Sequence, residues 1–95
     1  MASTHEQLKQ AVMILDSPGS IQERLASAYR TEVQYIGPEG LSDEMLYRLE
    51  AINDELTRVE AAGDKDTIDM SVETMTDDEA TDLADQIRNL YDLTR

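Results

Sequence analysis

The chain has 95 residues, with 21 acidic against 8 basic, a net charge of −13, and no Cys, Trp or Phe. That length makes one small domain, residues 1–95, and an apolar fraction of 40% beside a charged fraction of 31% belongs to a folded chain, not a disordered one. Disulfides, thiolate nucleophiles and thiolate metal sites are excluded, and the acidic field disfavours direct binding to nucleic acid or to anionic membranes.

The charge is uneven along the chain. Residues 1–36 carry 4 acids and 3 bases, residues 37–63 carry 7 and 2, and residues 64–95 carry 10 and 3. A nearly neutral first third is thus followed by two strongly acidic segments, which would attract a basic partner and also serve to keep a small protein in solution. The N-terminus MASTHEQLKQ has neither the basic start nor the apolar run of a signal peptide. The longest unbroken apolar run, residues 11–15, is too short to cross a membrane, so a soluble cytoplasmic protein is expected.

The first helix is predicted from Ser3, where S-T-H-E places Glu6 to close a capping box. Leu8, Ala11, Val12 and Leu15 form its core stripe, while Met13 and Ile14 project away from it and offer a second contact surface. Ser17-Pro18-Gly19 breaks the chain.

Ser20 opens the second helix with another box, S-I-Q-E, closed by Glu23. A straight helix through to Gly37-Pro38 gives a broad stripe of Ile21, Leu25, Ala28, Tyr29, Val33 and Ile36. On that projection Glu32 falls inside the stripe, flanked by Tyr35 and Ile36. A carboxylate placed there must be paired, reach water at the bundle end, or anchor a partner in a groove.

The most regular run is residues 42–62. Met45, Leu49, Ile52, Leu56 and Val59 recur at spacings of four, three, four and three, behind a Ser42 cap with Asp43 and Glu44 in the first turn. This seam covers only about 80° of the helix, narrower than the ~100° of an ordinary core helix, which predicts contact with a neighbour along a line. Leu41 and Leu46 stand at the positions of a hydrophobic staple, Glu44–Arg48 and Asp54–Arg58 are spaced as i,i+4 pairs, and Tyr47 points away from the seam. Gly63 is expected to end the helix.

Residues 66–75 are predicted as a short helix capped by Asp66, with Ile68, Val72 and Met75 on one side, although Ile68, Met70 and Val72 also alternate as in a strand. Thr76 begins the last helix through a third box, T-D-D-E, closed by Glu79. Its stripe is Ala80, Leu83, Ala84, Ile87, Leu90 and Tyr91. Asp77, Asp78, Glu79, Asp82 and Asp85 load its first turns, and Arg88 and Arg95 lie towards its end, the polarity that the helix dipole favours. The expected fold is all-α: a compact four-helix bundle-like domain with a short additional helix between the third and last main helices. The first two helices should form an antiparallel hairpin, because their connection is short.

A search for chemistry finds little. His5 has no second His or Cys to share a metal with. The stretch Asp64-Lys65-Asp66-Thr67-Ile68-Asp69 fails as a calcium loop, with Ile68 at a ligand position and Asp69 where the turn glycine belongs. The glycines sit at helix boundaries and form no phosphate loop, and no Ser, Thr or Lys stands beside a base. No catalytic, cofactor-binding or metal residue is therefore expected, and no cofactor. The remaining expectation is a non-catalytic interaction or regulatory module that binds a protein partner, with Met13, Ile14, Glu32, Leu46, Tyr47 and Leu93 as candidate contacts. Two other readings stay open: an acidic nucleic-acid mimic filling a basic site on another protein, and a homodimer paired through the third helix. Size, acidity and helix-only patterning are of the type found among bacterial or phage accessory proteins, with no motif to point at one family.

Overall fold

A computed structural model describes residues 3–39 and 41–94. It contains five α-helices, α1 (Thr4–Leu15), α2 (Ile21–Thr31), α3 (Asp43–Leu56), α4 (Thr67–Glu73) and α5 (Asp77–Leu93), with a 3₁₀ turn at Val33–Tyr35 after α2. The expected all-α architecture is present, four main helices with the short α4 between the third and the last. Gly40 and Arg95, which the sequence places in a turn and at the end of the last helix, lie outside the described residues.

Each α-helix begins where a side-chain oxygen takes up a free backbone N–H. Ser3 accepts from Glu6, Ser20 from Glu23, Ser42 from Met45, Asp66 from Asp69 and Thr76 from Glu79, all at 2.9–3.2 Å. The reciprocal capping box is complete at α5, where the Thr76 N–H donates to the Glu79 carboxylate. Glu6 and Glu23 make no such return bond, so α1 and α2 are capped from one side only.

Helix α5 is one of two hubs: it packs against α1, α2 and α3, as α2 does against α1, α4 and α5. The ends and the middle of α5 are tied to three different neighbours, and the bonds give the directions. His5 of α1 meets Thr94 past the end of α5, and Asp16 past the end of α1 meets Arg88, so α1 and α5 run antiparallel. Arg24 of α2 donates to the Leu15 carbonyl, and Gln7 of α1 reaches the Tyr35 carbonyl, so α1 and α2 form the expected antiparallel hairpin. Gln22 at the start of α2 bonds Asp77 at the start of α5, and Arg58 just past α3 bonds Glu79. Around α5, then, α1 and α3 run one way and α2 the other.

The core collects Leu8, Ala11 and Leu15 of α1, Leu25, Ala28 and Tyr29 of α2, the α3 seam Met45, Leu49, Ile52 and Leu56, Ile68 and Val72 of α4, and Ala80, Leu83, Ala84, Ile87 and Leu90 of α5. Its radius of gyration, 12.6 Å, matches the ~12.4 Å of a close-packed chain of this length. Buried polar groups are satisfied: the Tyr29 hydroxyl donates to Asn53, and no buried side-chain N or O among the described residues lacks a partner.

Two further sequence expectations fail, each for a local reason. The second helix does not run straight to Ile36. At Glu32 the backbone leaves helical geometry (φ −127°, ψ −57°) and tightens into the 3₁₀ turn. The change of pitch keeps Val33 and Ile36 buried while the Glu32 side chain turns to a half-buried position at the margin. A straight helix would have driven that carboxylate into the core, at a cost of several kcal/mol without a partner. Glu32 is therefore not inside an apolar stripe.

The third helix likewise stops at Leu56, before Val59 and Gly63. Thr57 folds its hydroxyl back on the Asn53 carbonyl at 2.7 Å. Arg58 leaves helical register to reach Glu55, Glu79 and Thr74, so the expected Asp54–Arg58 pair does not form, whereas Glu44–Arg48 does at 3.0 Å. Val59 is not part of the seam; its N–H donates to the hydroxyl of the fully buried Ser71 of α4. Gly63 instead stands in a two-residue turn closed by the Ala62–Lys65 bridge, with φ +60° at a position that favours glycine.

Candidate interaction surface

Most large apolar side chains are spent inside the molecule. Those left outside are Met13 on α1 (58% exposed), Tyr35 in the 3₁₀ turn (68%), Tyr47 on α3 (76%) and Leu93 in the last turn of α5 (47%). Of the residues picked from the sequence, Met13, Tyr47 and Leu93 are thus exposed. Ile14 is half-buried and packs against the core, so the free apolar surface of α1 is Met13. Leu46 and Glu32 are both half-buried, on different elements. The six residues lie on α1, the α2 terminus, α3 and α5, and do not converge on one pocket. Tyr35 was missed because a straight second helix assigns it to the flank of a buried stripe; the break at Glu32 turns it out.

Helix α3 differs from the other long helices in its neighbours, since it packs chiefly against α5 and α4 and lies at the edge of the bundle. Its outward face carries Asp43, Tyr47, Glu50 and Asp54, all exposed, at the same four-three-four spacing as the inward seam. At about 100° per residue these fall within roughly 60° of arc. None of the three carboxylates is ion-paired to a described residue, and the nearest arginines are committed elsewhere: Arg48 to Glu44, and Arg58 to Glu55 and Glu79. The result is a largely exposed aromatic ring between acids that have no ion-pair partner among the described residues.

Three of the other bases are also ion-paired. Arg30 of α2 bridges Asp66 and Asp69, Lys65 bonds Glu73, and Arg88 joins Asp16 to Asp85. Hydrogen bonds that Arg30 donates to Asp69 and Asp66 raise its pKa against the opposing effect of burial, and burial raises that of the Tyr29 phenol. Asp66 is held below the usual carboxylate range first by the Asp69 N–H and then by Arg30; Glu79 is held low by the Thr76 N–H and then by Arg58.

Several open depressions mark the surface. The groove between α2 and α4, about 530 Å³, has Ala26, Val72 and Met75 along its floor and Arg30, Lys65, Asp69 and Glu73 on its rim. A groove of about 650 Å³ runs past Tyr35 and Pro38 beside the start of α1. A smaller one, about 240 Å³, lies between α3 and α5 with Glu55, Glu79 and Asp82 on its walls. No group of three or more His, Cys, Asp or Glu among the described residues has the geometry to hold a metal ion. His5 lies 5.2 Å from the Tyr91 ring, centroid to centroid, with Nδ1 2.9 Å from the Thr94 hydroxyl. That hydroxyl gives its one proton to the Tyr91 carbonyl, so Nδ1–H is the donor to it. The imidazole is a fastener between the chain ends.

No family model matches the chain, and no curated protein or solved structure matches it significantly. No helix among the described residues is long and apolar enough to cross a membrane.

Proposed function

We propose that this chain is a small acidic, non-catalytic interaction or regulatory module that acts in the cytoplasm by binding a protein partner. The observation that carries the reading is the outer face of α3. A tyrosine ring 76% exposed, set among carboxylates with no ion-pair partner among the described residues, is well suited to bind. Tyrosine is enriched at interfaces because it supplies a large contact area and loses little conformational freedom on binding. The surrounding charge favours a partner with a basic surface and speeds encounter with it.

Self-association through the third helix is less well supported, because the seam Met45, Leu49, Ile52 and Leu56 is already buried within the chain. A nucleic-acid mimic needs carboxylates in an unbroken row at duplex spacing, and Tyr47 interrupts the acids of α3. The test is affinity capture from an extract of the source organism with the full chain as bait. One or a few proteins should be retained saturably and displaced by free chain. Retention that free chain does not displace would sink the reading.

A further inference from the structure

We propose that residues 57–76, with α4 at their centre, form a strap that Arg30 latches to the bundle and that salt releases, while the same salt tightens the rest of the molecule. This holds whatever the protein binds, and it adds a conformational control that partner binding does not require. Three features of the strap support it.

The first is how little apolar contact holds it. Helix α4 has seven residues, about two turns, and a helix of that length is not stable on its own. It packs chiefly against α2 and α3. It gives Ile68 and Val72 to the core, with Met75 just behind it, whereas α5 gives five buried positions. An element with so few buried apolar contacts opens before the rest of the fold.

The second is where the ion pairs stand. Five pairs join described residues eight or more positions apart, and four of them use the strap: Arg30–Asp66, Arg30–Asp69, Arg58–Glu79 and Lys65–Glu73, the fifth being Arg88–Asp16. Lys65 and Glu73 both belong to the strap, and Arg58 draws its own start towards Thr74 and Glu79 at its far end. Among the described residues, Arg30 is the base outside the strap that reaches its acids. One guanidinium nitrogen lies 3.0 Å from Asp66 Oδ1 and 2.9 Å from Asp69 Oδ1. Asp66 Oδ1 is also the oxygen that caps α4, accepting the Asp69 N–H. The latch and the helix start thus share one carboxylate, so loss of the pair loosens the first turn of α4.

The third is the sign of the charge around the latch. With 21 acids against 8 bases the chain repels itself, and salt that screens this repulsion favours the compact state. The strap carries Glu60, Asp64, Asp66, Asp69 and Glu73 against Arg58 and Lys65, so it too is repelled by the bundle except at Arg30. There the contact is attractive, and salt weakens it. Latch and bundle therefore answer salt in opposite directions. Release parts the groove between α2 and α4 and bares Ala26, Val72 and Met75, each at most 5% exposed when the strap is closed.

The test is amide exchange of the full chain, read by NMR in about 0.01 M and about 1 M sodium chloride, between which the screening length falls from ~30 Å to ~3 Å. Protection of residues 67–75, compared with α5 at the same salt, should fall roughly fivefold. The urea midpoint of global unfolding should rise over the same range. Arg30→Gln, at a half-buried position outside the core, should open α4 already at low salt and abolish or reverse its response. Asp69→Asn removes one pair, leaves the Asp66 cap in place and should reduce the response without abolishing it. Protection of residues 67–75 that follows α5 at both salt concentrations overturns the proposal. So does a salt-driven fall that persists unchanged in Arg30→Gln and Asp69→Asn.

Discussion

Helices α3 and α5 are written in much the same way, with a capped start, acids in the first turn and apolar residues every three or four positions, yet they occupy opposite places in the molecule. The difference is in the width of the stripe. The buried positions of α3, residues 45, 49, 52 and 56, span about 60°, and those of α5, residues 80, 83, 84, 87 and 90, about 120°. A narrow stripe seats a helix in the valley between two neighbours; a wide one lets three helices close around it. Ala80 and Ala84 help, because small side chains allow those neighbours near. The regularity of the 42–62 run was a poor guide to importance, and its narrowness pointed to one neighbour where α3 has two, α5 and α4.

Equal truncations in the two helices should separate hub from edge. Ile87→Ala removes a fully buried side chain at the middle of α5 and should cost about 2–5 kcal/mol, seen as a lower urea midpoint for the whole protein at unchanged slope. Met45→Ala, at the outer end of the α3 seam, should cost less and act locally. Amide exchange in residues 43–56 should quicken while α1 and α5 stay protected. If exchange rises evenly across the chain in both variants, α3 is as central as α5 and the distinction is wrong.

The linker that follows α3 supplies a second test. Its path depends on Ser71, a buried hydroxyl that receives the Val59 N–H at 3.0 Å. Ser71→Ala strands that donor and should cost about 1–3 kcal/mol. The loss should be concentrated in exchange at residues 57–66, with α5 little affected. Ordinary protection of those residues in the variant would mean that the Arg58 bonds to Glu55, Glu79 and Thr74 hold the segment without the serine.

How far the sequence carried the fold follows from these same residues. Helix starts were legible because Ser3, Ser20, Ser42, Asp66 and Thr76 announce themselves through their own side chains. The first helix also stops where Ser17-Pro18-Gly19 announces it, at Leu15, but the ends of the second and third were not legible, because tertiary partners decide them. The stop at Leu56 needs Ser71 and Glu79, which are distant in sequence. The break at Glu32 follows from what a carboxylate would meet in a core that several helices assemble together. The role of His5 was hidden for the same reason, its partners being Thr94 and Tyr91 at the far end of the chain. At the candidate surface, Tyr47 was legible as the residue opposite the seam. Its lack of a compensating base was not, since that depends on where Arg48 and Arg58 go.

Acid offers the smallest and most selective probe of hub against edge. Asp66 caps the peripheral α4 and Glu79 completes the cap of α5, and both hold folded pKa values below their ordinary 3.8 and 4.5. A carboxyl whose folded pKa is depressed adds stability that is fully present above its unfolded value and is lost as pH falls through the folded one. Stability should therefore hold level down to about pH 4.5 and decline below it. Both groups are solvent-exposed, so the slope should be shallow and weaker in high salt. Asp66→Asn keeps a capping oxygen while removing the charge that faces Arg30, and Glu79→Gln does the same opposite Arg58. If α5 is a hub, Glu79→Gln should flatten the acid slope of global unfolding, whereas Asp66→Asn should change only the local opening of α4. The reverse pattern, with Asp66 governing the global transition, would place the weak point of the fold in the α4 segment and move the centre of the molecule away from α5.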